Sequence, residues 1–84
     1  MDDDALLSRL TAIFRDVLGD ATIELTKASS PDALPAWDSL AQISLAVEAE
    51  CRFGIAFDAS EIEAMHDVGA LMQLIRAKSV LSAA

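Results

Sequence analysis

Asp38-Ser39-Leu40-Ala41-Gln42-Ile43-Ser44-Leu45-Ala46-Val47-Glu48-Ala49-Glu50-Cys51-Arg52-Phe53-Gly54 is the stretch whose reading decides the fold. It opens on an aspartate immediately before the first apolar-periodic residue. That is where an N-cap belongs, because the carboxylate accepts from a backbone N–H that the first helical turn leaves unpaired. It closes on Gly54, a residue suited to the turn that ends a helix. Between these ends Leu40, Ile43, Val47 and Cys51 recur at helical spacing and form one stripe, widened by Leu45 and Ala46. The pattern predicts an amphipathic helix over residues 39–53 with that stripe facing a core. Cys51 is then a buried structural thiol rather than a reactive one.

Working outward, the same period recurs on both sides. Leu6, Leu7, Leu10, Ile13, Phe14, Val17 and Leu18 make one stripe of a first helix over residues 3–18, with aspartates at its positive end and Gly19 to stop it. Residues 20–37 form a long connection in which Ser29-Ser30-Pro31-Asp32 and Pro35 are turn chemistry. Ala21 to Thr26 alternates as a lone strand would, but no second strand is evident to pair with it. An extended loop is expected, pinned to the core by Ile23, Leu25, Leu34 and Trp37. Such a long connection in a small domain is often functional. Around Gly54, Phe53, Ile55 and Phe57 point apolar groups inward from a short connection. Asp58-Ala59-Ser60-Glu61 resembles a capping box and opens a short third helix over residues 59–65, carrying Ile62 and Met65. Asp67 caps a fourth helix over residues 68–78, with Val68, Leu71, Met72 and Ile75 inward and Arg76 and Lys78 near its negative end. The tail from Ser79 to Ala84 is expected to fray. The sum is an all-α, four-helix bundle forming one domain over residues 1–84.

Composition narrows the function. The chain has 84 residues, a formal net charge of −8 and 54% hydrophobic residues. That argues against nucleic-acid binding, which needs basic groups to neutralise phosphates, and against a disordered acidic tail. One cysteine and one histidine exclude a disulfide framework, a multi-cysteine zinc site and a two-histidine metal pair. No metal site is expected. The start, Met1-Asp2-Asp3-Asp4, has the opposite charge from a secretory leader, and no run approaches the roughly 18 apolar residues of a membrane span. A soluble, cytoplasmic chain without membrane insertion is the expectation, and a monomer. From Ala28 to Ile75 there are eight acids and a single base, Arg52. This charge either solvates the surface or steers the chain towards basic partners.

No catalytic constellation is legible. His66 has no nucleophile beside it and reads as a polar surface or capping residue. Glu48 with Glu50, and Glu61 with Glu63, are two apart and do not share a helix face. Ser39 has no histidine to activate it, which disfavours a hydrolase. Asp38 and Ser39 either merely cap the helix or present a hydroxyl for modification, since a phosphate ester there faces free backbone N–H groups at the positive helix end.

The ensemble settles that choice. Trp37-Asp38-Ser39-Leu40, the helix ending Glu50-Cys51-Arg52-Phe53-Gly54-Ile55, the continuation Phe57-Asp58 through Ile62, and the Val68 to Ile75 stripe together resemble the acyl carrier protein family over nearly the whole chain. The resemblance implies a carrier with no catalysis of its own. It implies 4′-phosphopantetheine transferred from coenzyme A to Ser39 by a phosphopantetheinyl transferase, with acyl groups held on the arm's thiol as thioesters. It implies Asp38 as the family acid before the serine, serving the cap and the positioning of metal or transferase. Acyl-loading, modifying and transfer enzymes with basic docking patches are the implied partners. Leu40 is the implied apolar contact beside the serine, and Glu48, Glu50, Glu61 and Glu63 are the implied docking acids. Val47, Ile62 and Met65 either border a pocket for an acyl chain or pack the core. Where carriers of fatty-acid synthesis usually hold acids soon after the serine, this chain has Ala41, Gln42 and Ser44. Together with Trp37 this implies a stand-alone carrier of a specialised lipid, polyketide or aminoacyl route. The rival expectation is a non-enzymatic acidic interaction module that keeps the bundle and carries no arm.

Overall fold

The computed structural model describes residues 2–83, with side chains through residue 78. Four helices follow in order: α1 (Asp3–Leu18), α2 (Ser39–Phe53), α3 (Ala59–Glu63) and α4 (Val68–Ala83). There is no strand among the described residues. Every helix begins where a carboxylate relieves an unpaired N–H. Asp2 accepts from Ala5, Asp38 from Ala41 and Asp67 from Ala70, each at 2.8 Å. Asp58 accepts from Glu61, whose own carboxylate takes the Asp58 N–H, so the capping box is complete. Gly19 and Gly54 end α1 and α2 at φ 67° and 66°, in the left-handed region where a Cβ is strained.

The core gathers Leu6, Leu10, Ile13 and Phe14 of α1, Leu45, Ala46 and Ala49 of α2, Met65, and Val68, Leu71, Met72 and Ile75 of α4. The long loop joins it through Ile23, Leu25 and Trp37, with Leu34 packed against its edge. Each of those three buried side chains contributes about 1.5–3 kcal/mol, enough to offset the cost of ordering the few residues around it. Polar ties finish the job. Arg15 Nε donates to the Ile23 carbonyl at 2.8 Å, and Asp3 pairs with Lys27 at 2.5 Å and with Arg76 of α4. The first N–H groups of α4 donate to the loop, Val68 to the Ser29 carbonyl and Gly69 to the Lys27 carbonyl, both at 2.9 Å. The indole of Trp37 meets Phe14 edge-on, centroids 5.0 Å apart at 86°. A loop held at both walls delivers Asp38, and therefore the start of α2, to one place.

Four expectations need correcting. The stripe of Leu40, Ile43, Val47 and Cys51 faces solvent: Leu40 is 75% exposed, Ile43 53% and Val47 48%, and Cys51 is exposed as well. The inward face is Leu45, Ala46 and Ala49, with Phe53 packed at the core's edge. At about 100° per residue the two stripes lie roughly 180° apart, so α2 has two apolar faces and only one fits the core. The large side chains of α1 and the indole already fill the interior, and two alanines let α2 come close. Cys51 is therefore not a core thiol. The third helix stops at Glu63 rather than residue 65, because the Ala64 N–H closes the last turn and the His66 N–H bonds back to the Ala64 carbonyl. Met65 consequently sits in the connection, buried. The fourth helix runs on through Ala83 instead of ending near residue 78; Ala84 lies outside the described residues.

Candidate functional site

Ser39 is the first residue of α2, and its side chain is exposed. Among the described residues none bonds its hydroxyl. The carboxylate of Asp38 beside it is committed to the Ala41 N–H, so its charge is partly spent inside the cap. An exposed hydroxyl on the first turn of a helix of 15 residues fits a phosphodiester, because the positive helix end and its outward N–H groups favour an anion there.

An open cleft of about 750 Å³ lies next to this hydroxyl, between α2, α3 and the end of the long loop. Its lining mixes the apolar Pro31, Trp37, Ile43, Ala59 and Ile62 with Asp38, Ser39, Gln42 and Glu63. A second open cleft, of about 510 Å³, lies between α1 and α2 and is lined by Asp16, Val17, Ile43, Ser44, Val47, Glu48 and Arg52. Of the sequence-derived pocket residues only Ile62 lines the cleft at Ser39. Val47 belongs to the second cleft, and Met65 is 2% exposed in the core and lines neither.

The exposed stripe of α2 runs down from the serine. Leu40, Ile43 and Val47 are the large hydrophobics left exposed among the described residues, and all three share one helix face.

The four acids named from the sequence divide. Glu50 is half-buried and accepts the Phe57 N–H at 2.8 Å, closing the turn after α2. Glu61 serves the capping box and pairs with Lys78 at 2.8 Å. Lys78, then the Asp58 N–H, hold its carboxyl below the usual range, and the Glu61 N–H and Ser60 hydroxyl do the same for Asp58. Both Glu50 and Glu61 thus have structural employment. Glu48 shares Arg52 with Asp16 in an exposed pair at 3.1 Å, and Glu63 stands exposed on the cleft rim. His66 is exposed, its ring bonded to the Ala64 carbonyl. Among the described residues no cluster of three ligating side chains forms a metal site, and no helix is long and apolar enough to cross a membrane.

Sequence reading missed Gln42 and Ile43. Ile43 was assigned to the core and instead lines both clefts. Gln42 accepts from the Trp37 indole N–H at 2.9 Å and donates to the Ile62 carbonyl at 2.6 Å. Its signal was a lone amide between Leu45 and Ala46 on the small-residue face, visible only once that face is known to be the inner one.

Residues 8–75 match the family described as phosphopantetheine attachment site. The solution structure of the holo acyl carrier protein from Geobacter metallireducens is 37% identical, with a TM-score of 0.83 over 90% of this chain and 87% of that one. No curated protein matches the chain. The chain therefore belongs to the phosphopantetheine attachment family. It is a carrier protein with the acyl-carrier fold rather than an enzyme, and its cofactor is a covalently attached 4′-phosphopantetheine. Its partners are in general terms phosphopantetheinyl transferases and acyl-handling enzymes. An arm-less interaction module does not fit this membership.

Proposed function

We propose that Ser39 carries the arm and that the exposed stripe of α2 is the face partners grip. The carrying observation is the exposed hydroxyl at the first turn of α2, standing at once on an open cleft and at the head of the exposed apolar stripe. Within a transferase, the Ser39 oxygen bonds to the pantetheine-bearing phosphorus of coenzyme A. The bond to the adenosine bisphosphate breaks, and a base of the transferase takes the serine proton. The arm supplies a terminal thiol that holds acyl cargo as a thioester. Asp38 keeps the first turn ordered through its cap and presents a carboxylate beside the reacting oxygen, suited to the transferase's magnesium.

Leu40, Ile43 and Val47 supply the apolar contact with partners, and Glu48 and Glu63 supply charge at its edge. Glu50 and Glu61 contribute less, since both are tied into the fold. The chain works as a monomer, which leaves the stripe free for successive enzymes with basic patches. The apolar first half of α2, with Ala41, Gln42 and Ser44 following Ser39 and Leu40, favours a dedicated route, lipid, polyketide or aminoacyl, over general fatty-acid synthesis.

Coexpression with a broad-specificity transferase tests the site. The intact mass should gain one phosphopantetheine, and Ser39→Ala should abolish the gain while keeping the helical spectrum. An adduct that persists in Ser39→Ala would move the attachment elsewhere.

A further inference from the structure

One side chain lining the cleft ties its walls together. Gln42 joins three parts of the molecule, the end of the long loop through the Trp37 indole N–H, α2 through its own backbone, and α3 through the Ile62 carbonyl. It stands one turn below Ser39 on α2, so an arm laid into the cleft passes over it. The core beside it is filled: Leu45, Ala46 and Met65 are all 2% exposed or less. In front of it the cleft is open. α3 has five residues, none of them buried, so few other contacts hold it against α2. A chain pushing from the cleft into the core must lift α3 off α2. That breaks the bond from Gln42 Nε2 and strands an amide and a carbonyl beside an apolar chain. The amide serves here because it accepts from the indole and donates to the carbonyl at once. Glutamate lacks the donor, and leucine lacks both.

We infer that Gln42 is a positioning residue that bars acyl cargo from the core, so that this carrier keeps its thioester in the open cleft whatever the length of the acyl chain. The inference rests on the proposed attachment at Ser39. It makes the preferred cargo a short or polar acyl group, because a long apolar chain gains no dry pocket.

The test loads wild type, Gln42→Leu and Gln42→Glu with butyryl- or decanoyl-phosphopantetheine, using a promiscuous transferase and the matching acyl-coenzyme A. Mass confirms the adduct, and thioester cleavage by neutral hydroxylamine is then followed. In the wild type the two thioesters should be cleaved at rates within about twofold of each other, with no melting difference between them. In Gln42→Leu the decanoyl thioester should be cleaved about tenfold more slowly than the butyryl one, and melting should rise with chain length, as sequestering several methylenes demands. Gln42→Glu should fall on the same side, and it answers alone if Gln42→Leu loses its helical signal. Decanoyl protection already present in the wild type would overturn the inference, as would no protection in either variant. A missing adduct would instead strike the attachment at Ser39. The bar itself is then read in unmodified protein, where the Trp37 indole N–H resonance must move in Gln42→Leu; an unmoved resonance overturns it.

Discussion

The two apolar faces of α2 use similar residues to opposite ends. The inner face is Leu45, Ala46 and Ala49, at 2%, 0% and 0% exposure. The outer is Leu40, Ile43 and Val47, bulkier and largely in water. Hydrophobicity alone would bury the outer stripe, since it offers more apolar area. What wins is fit. Phe14, Trp37 and Leu71 already occupy the centre, and a helix meeting them with alanines reaches contact distance without voids or strain. The stripe that cannot be accommodated is left beside Ser39, on the face proposed above for partner contact. The comparison teaches that in a small bundle the buried face of a helix is set by the size of what it must meet.

Truncation should separate the faces most sharply. Leu45→Ala should cost about 2–5 kcal/mol in chemical denaturation, while Leu40→Ala should stay within about 0.5 kcal/mol and show its effect in modification by the transferase. Equal losses at both positions would break the distinction. Enlargement asks the converse question: Ala49→Leu should cost about 1–3 kcal/mol through overpacking, whereas Ser44→Leu on the outer side should barely move the melting temperature. Next in size is the cap that orients both faces. Asp38→Ala should lower stability by about 1 kcal/mol and slow modification of Ser39, and Asp38→Asn should restore the stability but not the rate if the carboxylate also serves the transferase.

The smallest effect concerns the acids. Glu61 is held below the usual carboxyl range first by Lys78 and then by the Asp58 N–H, so it stabilises the fold while ionised. That contribution is complete above its unfolded pKa and is lost as pH falls through the lower, folded value. Melting temperature should therefore drop at and below about pH 4, and drop less steeply in Glu61→Gln. Asp3, lowered chiefly by Lys27, and Asp58 act in the same window and sense. Glu48→Gln and Glu63→Gln should reduce transferase kcat/KM, most at low salt.

Much of this was legible before any coordinates. The caps at Asp38, Asp58 and Asp67 and the stops at Gly19 and Gly54 are short-range devices. Each is complete within a few residues, so a linear reading finds them. The pinned loop was legible because Ile23, Leu25 and Trp37 are large apolar groups in a polar connection. The outward turn of Cys51 and Ile43 was not, since period counts neighbours along a helix and cannot see what stands opposite. Nor was the whole division among the acids: the capping box already claimed Glu61, but Glu50 looks as free as Glu48 and Glu63 until its partner, the Phe57 N–H, is placed.

The order of residues determined by itself where the helices begin, where the first two end and that a serine opens the second of them, because caps, glycines and a 3.6-residue period act over a few angstroms. Only the packed molecule decided which apolar face of α2 is dry, which carboxylates are spent, and that a single amide bridges Trp37 to Ile62 under the cleft. Those outcomes depend on volumes and on partners beyond the local turn, such as Phe57 for Glu50 and Ile62 for Gln42, and no helical period encodes them.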